Sequence, residues 1–134
     1  MTNDSLRQFV QHFLNELRHG NRDNAFHSLI EGDPAIVPLL MTEFSREPDA
    51  ALRDTLLRIV AEFRRSDTIP FFAERLFDGH WKTALDFLVA QASPEALSAL
   101  EHAYTRKFES ERETEDFRAW LDEAISQTQA AQSA

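Results

Sequence analysis

Apolar residues recur along most of this chain with the spacing of an α-helix. In the segment ALRDTLLRIVAEF they repeat every three or four positions, and the resulting stripe consists of Leu52, Leu56, Ile59 and Phe63. The segment HWKTALDFLVAQA, residues 80–92, repeats this pattern. Alternation with a period of two, which would indicate strands, is scarce. The pattern therefore predicts an all-α protein.

Prolines, glycines and capping residues divide the chain into short helices. Asp33-Pro34 and Ser93-Pro94 each place proline in a first helical turn, where its missing amide donor costs little, and Asp33 and Ser93 can act as N-caps. The polar tail at 126–134 is expected to fray. The predicted helices span about 5–19, 22–31, 34–46, 49–64, 68–77, 80–92, 94–109 and 114–128.

Two prolines inside predicted helices occur at corresponding positions of a repeat. The segments DPAIVPLL, SDTIPFFA and SPEALSAL align so that Pro38 matches Pro70. The helices that follow them, LRDTLLRIVA and WKTALDFLVA, align as well, and FRAWLDEAIS matches more loosely. A helical pair that recurs about every 30 residues is typical of an α-solenoid, in which each pair buries its apolar face against its neighbours. A proline early in the first helix of a pair would bend that layer around the outside.

These segments resemble the short bacterial form of HEAT repeats, which is also found in phycobilisome-lyase-like proteins. The matching features are a DP-x-x-VP-x-L first helix at Asp33–Leu39, the second helix at Leu52–Ala61, and ASPEALSAL at Ala92–Leu100. The resemblance implies an all-α, right-handed α-solenoid of about four HEAT-like helical pairs. It also implies a single domain, 1–134, made of an N-terminal capping pair, the best-matching repeats and a C-terminal capping pair, at 1–31, 32–105 and 106–134.

Charge and composition narrow the possible partners and location. The net charge of -9 argues against a nucleic-acid surface, and residues 67–134 hold 13 acids and 6 bases against 10 and 8 in residues 1–66. The acidic second half is expected to attract a basic partner, although a solvated surface also explains any single acidic run. The N-terminal segment lacks the continuous apolar core of a signal peptide, and no stretch approaches the roughly 18 apolar residues of a membrane span. We therefore expect a cytoplasmic protein.

Candidate residues for catalysis or metal binding are few. The chain has no cysteine, and none of its five histidines forms an i, i+4 pair with another. Glycine-rich phosphate loops and serine nucleophile motifs are missing from the sequence. We therefore expect no enzyme activity, no cofactor and no metal.

The HEAT resemblance places the candidate binding surface on the second helices, which line the concave face of such solenoids. The columns facing away from the apolar stripe predict partner contacts from Asp54, Arg58, Glu62, Asp86, Phe87, Gln91, Asp122 and Glu123. Phe87 is the anomaly, because an aromatic residue on a polar face is typical of a binding hot spot. The equal alternative is that Phe87 packs into an adjacent repeat.

Two further sets of residues on these helices carry structural expectations. The HEAT resemblance implies that the aligned basic residues Arg53, Lys82 and Arg118 form a ladder that binds acidic groups in turns between neighbouring repeats. Trp81 and Trp120 fall on or near apolar stripes and are predicted to be core residues.

Protein binding without catalysis is the expected function. Resemblance and charge together predict an immunity protein, monomeric when free, that neutralises a basic bacterial toxin domain and binds neither nucleic acid nor membrane. The alternative is a scaffold or regulatory adaptor for an endogenous protein. A lyase-like enzyme is a third possibility, for whose cofactor the sequence offers no residues.

Overall fold

The computed structural model describes residues 2–133, which contain eight α-helices and no strand. The all-α prediction is therefore confirmed. Short 3-10 turns precede α3 and α5 and follow α7. The helices are α1 (Asn3–Arg18), α2 (Arg22–Ile30), α3 (Val37–Arg46), α4 (Ala50–Glu62), α5 (Ile69–Arg75), α6 (Trp81–Gln91), α7 (Pro94–His102) and α8 (Glu111–Ser133).

Both predicted N-caps are present. Asp33 Oδ1 accepts a hydrogen bond from the Ala35 amide at 2.9 Å, and Ser93 Oγ accepts one from the Ala96 amide at 3.1 Å. The first amides of a helix have no acceptor inside it, so a cap of this kind stabilises the helix by about 1 kcal/mol. Ser93 thus caps α7, whereas Asp33 caps the 3-10 turn at 34–36 that precedes α3.

Pro38 and Pro70 occupy locally equivalent positions. Each is the second residue of an α-helix that follows a 3-10 turn, at 34–36 before α3 and at 66–68 before α5. Proline costs little in a first turn, because the first four amides of an α-helix have no acceptor within it. The predicted continuous helix over 34–46 is corrected to a turn followed by α3, and no proline bend inside a helix is required.

Contacts divide the chain into two compact units, the first ending at Arg64 and the second beginning at Arg65. In the first unit α1 packs on α2 and α3 on α4, while α1 also contacts α3 and α2 contacts α4. In the second unit α5 packs on α6 and α7 on α8, while α5 contacts α7 and α6 contacts α8. Each unit therefore consists of two helical pairs, in which the first helices of the pairs contact each other and so do the second helices. The continuous four-pair solenoid stays a prediction.

Helix α8 continues to Ser133, beyond its predicted end at 128, and the tail does not fray in the described chain. Buried positions recur along it at intervals of three or four, at Thr114, Phe117, Leu121, Ala124 and Thr128. The Thr128 hydroxyl donates to the Ala124 carbonyl at 2.8 Å, which satisfies it inside the buried face. This buried stripe extends to the predicted end of the helix at 128.

None of the helices in residues 2–133 combines the length and the apolar character needed to cross a lipid bilayer.

Candidate functional site

Phe87 is not an exposed anchor. Its side chain is 4% exposed, and its ring stacks on Phe72 with centroids 3.9 Å apart and planes at 17°. Because α5, α7 and α8 all contact α6, its buried face is wider than one apolar stripe and includes Ala84, Leu85, Phe87 and Leu88. The hot-spot prediction for Phe87 is therefore wrong, and the packing alternative is confirmed.

The charged members of the predicted surface lie in both units. In the first unit Arg58 Nε pairs with Asp54 Oδ2 at 3.0 Å across one helical turn. In the second unit Asp122 accepts a hydrogen bond from the Tyr104 hydroxyl. Of the remaining members Gln91 is half-buried, and the exposed ones are Glu62, Asp86 and Glu123. Their role as partner contacts stays a prediction.

Two members of the expected basic ladder lie over aromatic rings. The Arg53 guanidinium carbon is 4.6 Å from the centroid of Phe44. Lys82 Nζ is 5.4 Å from the centroid of Trp81 and 5.7 Å from that of Trp120. These are cation–π contacts, in which the negative ring face attracts the positive group. The two rings under Lys82 belong to an exposed surface of the second unit.

That surface is an exposed aromatic cleft formed by α6, α8 and the segment before α8. Trp120 is 55% exposed, and Trp81 is half-buried beside it, with ring centroids 6.5 Å apart and planes at 68°. The cleft, which we call the tryptophan cleft, has a volume of about 290 Å³ and is lined by Trp81, Lys82, Phe108, Glu113, Asp116, Ala119 and Trp120. The core prediction for Trp120 is wrong.

The core prediction for Trp120 fails because this residue lies beside the buried stripe of α8 and not on it. It follows Phe117 by three residues and precedes Leu121 by one, which places it beside the face that packs. A signal for its exposure was present in the sequence. Glu113, Asp116 and Glu123 lie seven and four residues before it and three after it, so carboxylates share its side of the helix.

The floor of the tryptophan cleft is a cluster of aromatic rings. Phe117 is fully buried and meets the edge of Trp81, with centroids 5.1 Å apart and planes at 85°. Phe108 also packs on Phe117, with ring centroids 5.4 Å apart and planes at 57°. Phe117 therefore packs against two of the rings that line the cleft, Trp81 and Phe108.

Arg106 joins the two segments that carry this floor. Its Nη1 donates to the carbonyls of Leu76 at 2.7 Å and Asp78 at 2.9 Å, in the turn that leads into α6. Its guanidinium carbon lies 3.9 Å from the centroid of Phe108 and 5.4 Å from that of Phe117. Burial lowers the pKa of Arg106 from its usual value, and the Asp78 carboxylate acts in the opposite direction. Arginine remains charged in proteins, so a cation holds the two segments together.

The start of α8 is also held by side-chain hydrogen bonds. Ser110 Oγ accepts from the Glu113 amide at 3.1 Å, which caps the first turn. Thr114 Oγ1 accepts from the Phe108 amide at 2.9 Å and donates to the Ser110 carbonyl at 3.2 Å. These bonds hold the backbone of Phe108 and Glu113, two residues that line the cleft.

The electrostatics of the tryptophan cleft favour positive groups. Its lining contains two carboxylates, Glu113 and Asp116, against one ammonium, that of Lys82. Lys82 already places its ammonium over both indole rings, so the ring faces accept a cation in this geometry. Indole faces and carboxylates together can bind an arginine or lysine side chain of another protein.

The first unit has two more polar clefts, and in each of them two of the lining side chains bind one another. One, of about 180 Å³, contains Arg18 and Glu47, which form an ion pair at 3.0 Å. The other, of about 390 Å³, contains Gln11 and Glu43, and Gln11 Nε2 donates to Glu43 Oε1 at 3.0 Å. Within residues 2–133, no group of three histidine, aspartate or glutamate side chains is arranged to hold a metal ion. The tryptophan cleft is therefore the strongest candidate site.

No protein-family model, no curated protein and no solved structure matches this chain. The HEAT-like resemblance consequently rests on the segments quoted from the sequence.

Proposed function

We propose that this chain is a non-catalytic protein-binding module for a basic protein, and that it acts as an immunity protein against a basic bacterial toxin domain. The proposal retains the function expected from the sequence and changes the binding surface. The tryptophan cleft of the second unit replaces Phe87 as its aromatic centre. Glu123 contributes from the same side of α8 as Trp120.

The exposure of Trp120 beside Glu113 and Asp116 carries the proposal. A tryptophan that is 55% exposed leaves a large apolar ring in contact with water, which is unusual unless something covers it. Tryptophan is among the residues most enriched at binding hot spots. Carboxylates around the ring supply the polar rim of such a site and select for positive charge.

The charge of the chain supports a basic partner over a neutral one. Residues 67–134 hold 13 acids and 6 bases, and the whole chain has a net charge of -9. A toxin domain that acts on nucleic acid must be basic to bind phosphates, and it would be attracted to this surface. The acidic surface would thereby speed association. It would also occupy the basic groups with which the toxin binds phosphates.

Co-expression tests the proposal directly. A basic domain encoded by a gene that neighbours this one in its native genome is expressed with and without the chain, and cell survival and formation of a purified complex are measured. The wild-type chain is expected to restore growth and to form the complex. Trp120→Ala is expected to lose both while melting at the same temperature as the wild type.

The matched control is Glu31→Gln, which removes one exposed acid from the first unit. This variant should protect as well as the wild type. Equal protection by Trp120→Ala, or no protection by the wild-type chain, would refute the proposed function at this site. A complex that forms without restoring growth would favour the adaptor alternative.

A further inference from the structure

We infer that the tryptophan cleft binds a single arginine side chain of the partner, and that Lys82 occupies the cation position until that arginine replaces it. The inference rests on the proposed function, because a basic partner supplies the arginine. It adds the chemical group that is recognised and the residue of this chain that competes with it.

The position of Lys82 identifies where a cation fits. Its Nζ lies at similar distances from the centroids of Trp81 and Trp120, 5.4 and 5.7 Å, so it is attracted by both rings at once. The two ring planes meet at 68° and form two walls rather than a flat surface. A positive group between such walls faces negative ring density on two sides.

The carboxylates favour a guanidinium over an ammonium at this position. Glu113 and Asp116 lie three residues apart on α8, so both carboxylates reach the same side of the cleft. A guanidinium can stack flat on an indole while its edge donates two parallel hydrogen bonds to a carboxylate. An ammonium can make one strong contact but cannot stack and bind bidentately at the same time.

Lys82 is suited to be displaced. It is exposed, and its ammonium lies over the rings at the end of a flexible side chain. Moving it into water loses only the cation–π contacts, which are weak for exposed groups. While it stays in place it repels an incoming cation, so its removal should strengthen arginine binding.

The two tryptophans of the chain make the site directly observable, because both line the cleft. Their two indole N–H signals are followed by NMR while a blocked Gly-Arg-Gly peptide is titrated into the full chain. Both signals are expected to shift and saturate in the millimolar range. The matching Gly-Lys-Gly peptide should bind more weakly, and an uncharged Gly-citrulline-Gly peptide should leave both signals in place.

Variants then separate a cation site from general attraction to an acidic protein. Lys82→Gln should tighten arginine binding by about threefold, since a like charge is removed from the site. The double change Glu113→Gln with Asp116→Asn should abolish saturable binding. The control, Asp23→Asn with Glu31→Gln, removes the same charge from exposed positions of the first unit and should leave the affinity unchanged.

Three results would overturn the inference. The first is unmoved indole signals with the arginine peptide. The second is weaker binding of that peptide after Lys82→Gln, which would show that Lys82 supports arginine binding instead of competing with it. The third is equal losses of affinity from the cleft and control double variants. Each would leave the proposed function standing, because toxin rescue is measured separately with the whole partner. If the wild-type chain fails to rescue growth but still binds the arginine peptide, the proposed immunity function is overturned and the cleft remains an arginine-binding site.

Discussion

Phe87 on α6 stacks on Phe72 of α5, with nearly parallel rings whose centroids are 3.9 Å apart. Both side chains are buried, so this pair joins two helices of the second unit. Such a contact combines the burial of two large apolar surfaces with a favourable ring geometry. Its position makes Phe87 a structural residue.

Phe87→Ala is expected to destabilise the protein by about 3–5 kcal/mol, because it leaves a cavity against Phe72. Phe87→Leu should cost less, since it retains most of the volume. Urea unfolding followed by circular dichroism measures both, and Leu85→Ala serves as the comparison for a buried residue of the same helix. A decrease in the free energy of unfolding of less than about 1 kcal/mol for Phe87→Ala would contradict the core position of Phe87.

Trp120→Ala is expected to change the free energy of unfolding by less than about 1 kcal/mol, because the ring is mostly exposed. Phe117→Ala, three residues earlier on the same helix, should cost about 3–5 kcal/mol because that ring is fully buried. Thermal melts of the two variants measure the contrast. Similar losses would show that Trp120 is part of the core.

Arg106→Lys is expected to destabilise the second unit by about 1–3 kcal/mol although it preserves the charge. Lysine lacks the planar group that stacks on Phe108 while donating to the carbonyls of Leu76 and Asp78. The change should also shift the tryptophan emission, since the turn before Trp81 loosens. Lys107→Met, at the exposed neighbouring position, is the control, and an equal effect from both would contradict the role given to Arg106.

Ala92→Gly is expected to stabilise the protein by up to about 1 kcal/mol. Ala92 ends α6 in the left-handed conformation, with φ 50° and ψ 34°, which glycine adopts without steric strain. Ala90→Gly, inside the same helix and exposed, should instead cost about 1 kcal/mol. Denaturant unfolding measures both changes in the free energy of unfolding. Changes of opposite sign are expected from a left-handed residue at 92, and changes of the same sign would contradict it.

Association with a basic partner is expected to slow as ionic strength rises, because the acidic surface steers the encounter. Neutralising the exposed carboxylates of Asp86 and Glu123 as amides should lower the on-rate and flatten its salt dependence without changing stability. Asp122→Asn tests a different case, because it also alters the hydrogen bond from Tyr104. Stopped-flow kinetics measures all three, and rates indifferent to salt and to these changes would refute steering.

The helices themselves could be predicted because their causes are local. Apolar spacing of three or four residues, the caps Asp33 and Ser93, and prolines in first turns act within a few residues of where they stand. The repeat alignment also correctly paired Pro38 with Pro70. The sequence did not predict the 3-10 turns before those prolines. A 3-10 turn and the first turn of an α-helix favour the same residues and differ in their hydrogen-bond pattern, which only the structure shows.

The candidate site depended on tertiary packing, and here reasoning from one helix at a time assigned two aromatic residues wrongly. In the sequence Phe87 faces away from the apolar stripe of its helix, whereas Trp120 lies beside the stripe of α8. Phe87 is covered because α5, α7 and α8 all contact α6, whereas the buried face of α8 stops short of Trp120. Sequence determined which residues are helical and which side of each helix is apolar, since those depend on spacing along the chain. How wide each buried face becomes depends on how many helices pack against it, and only the tertiary structure decided that.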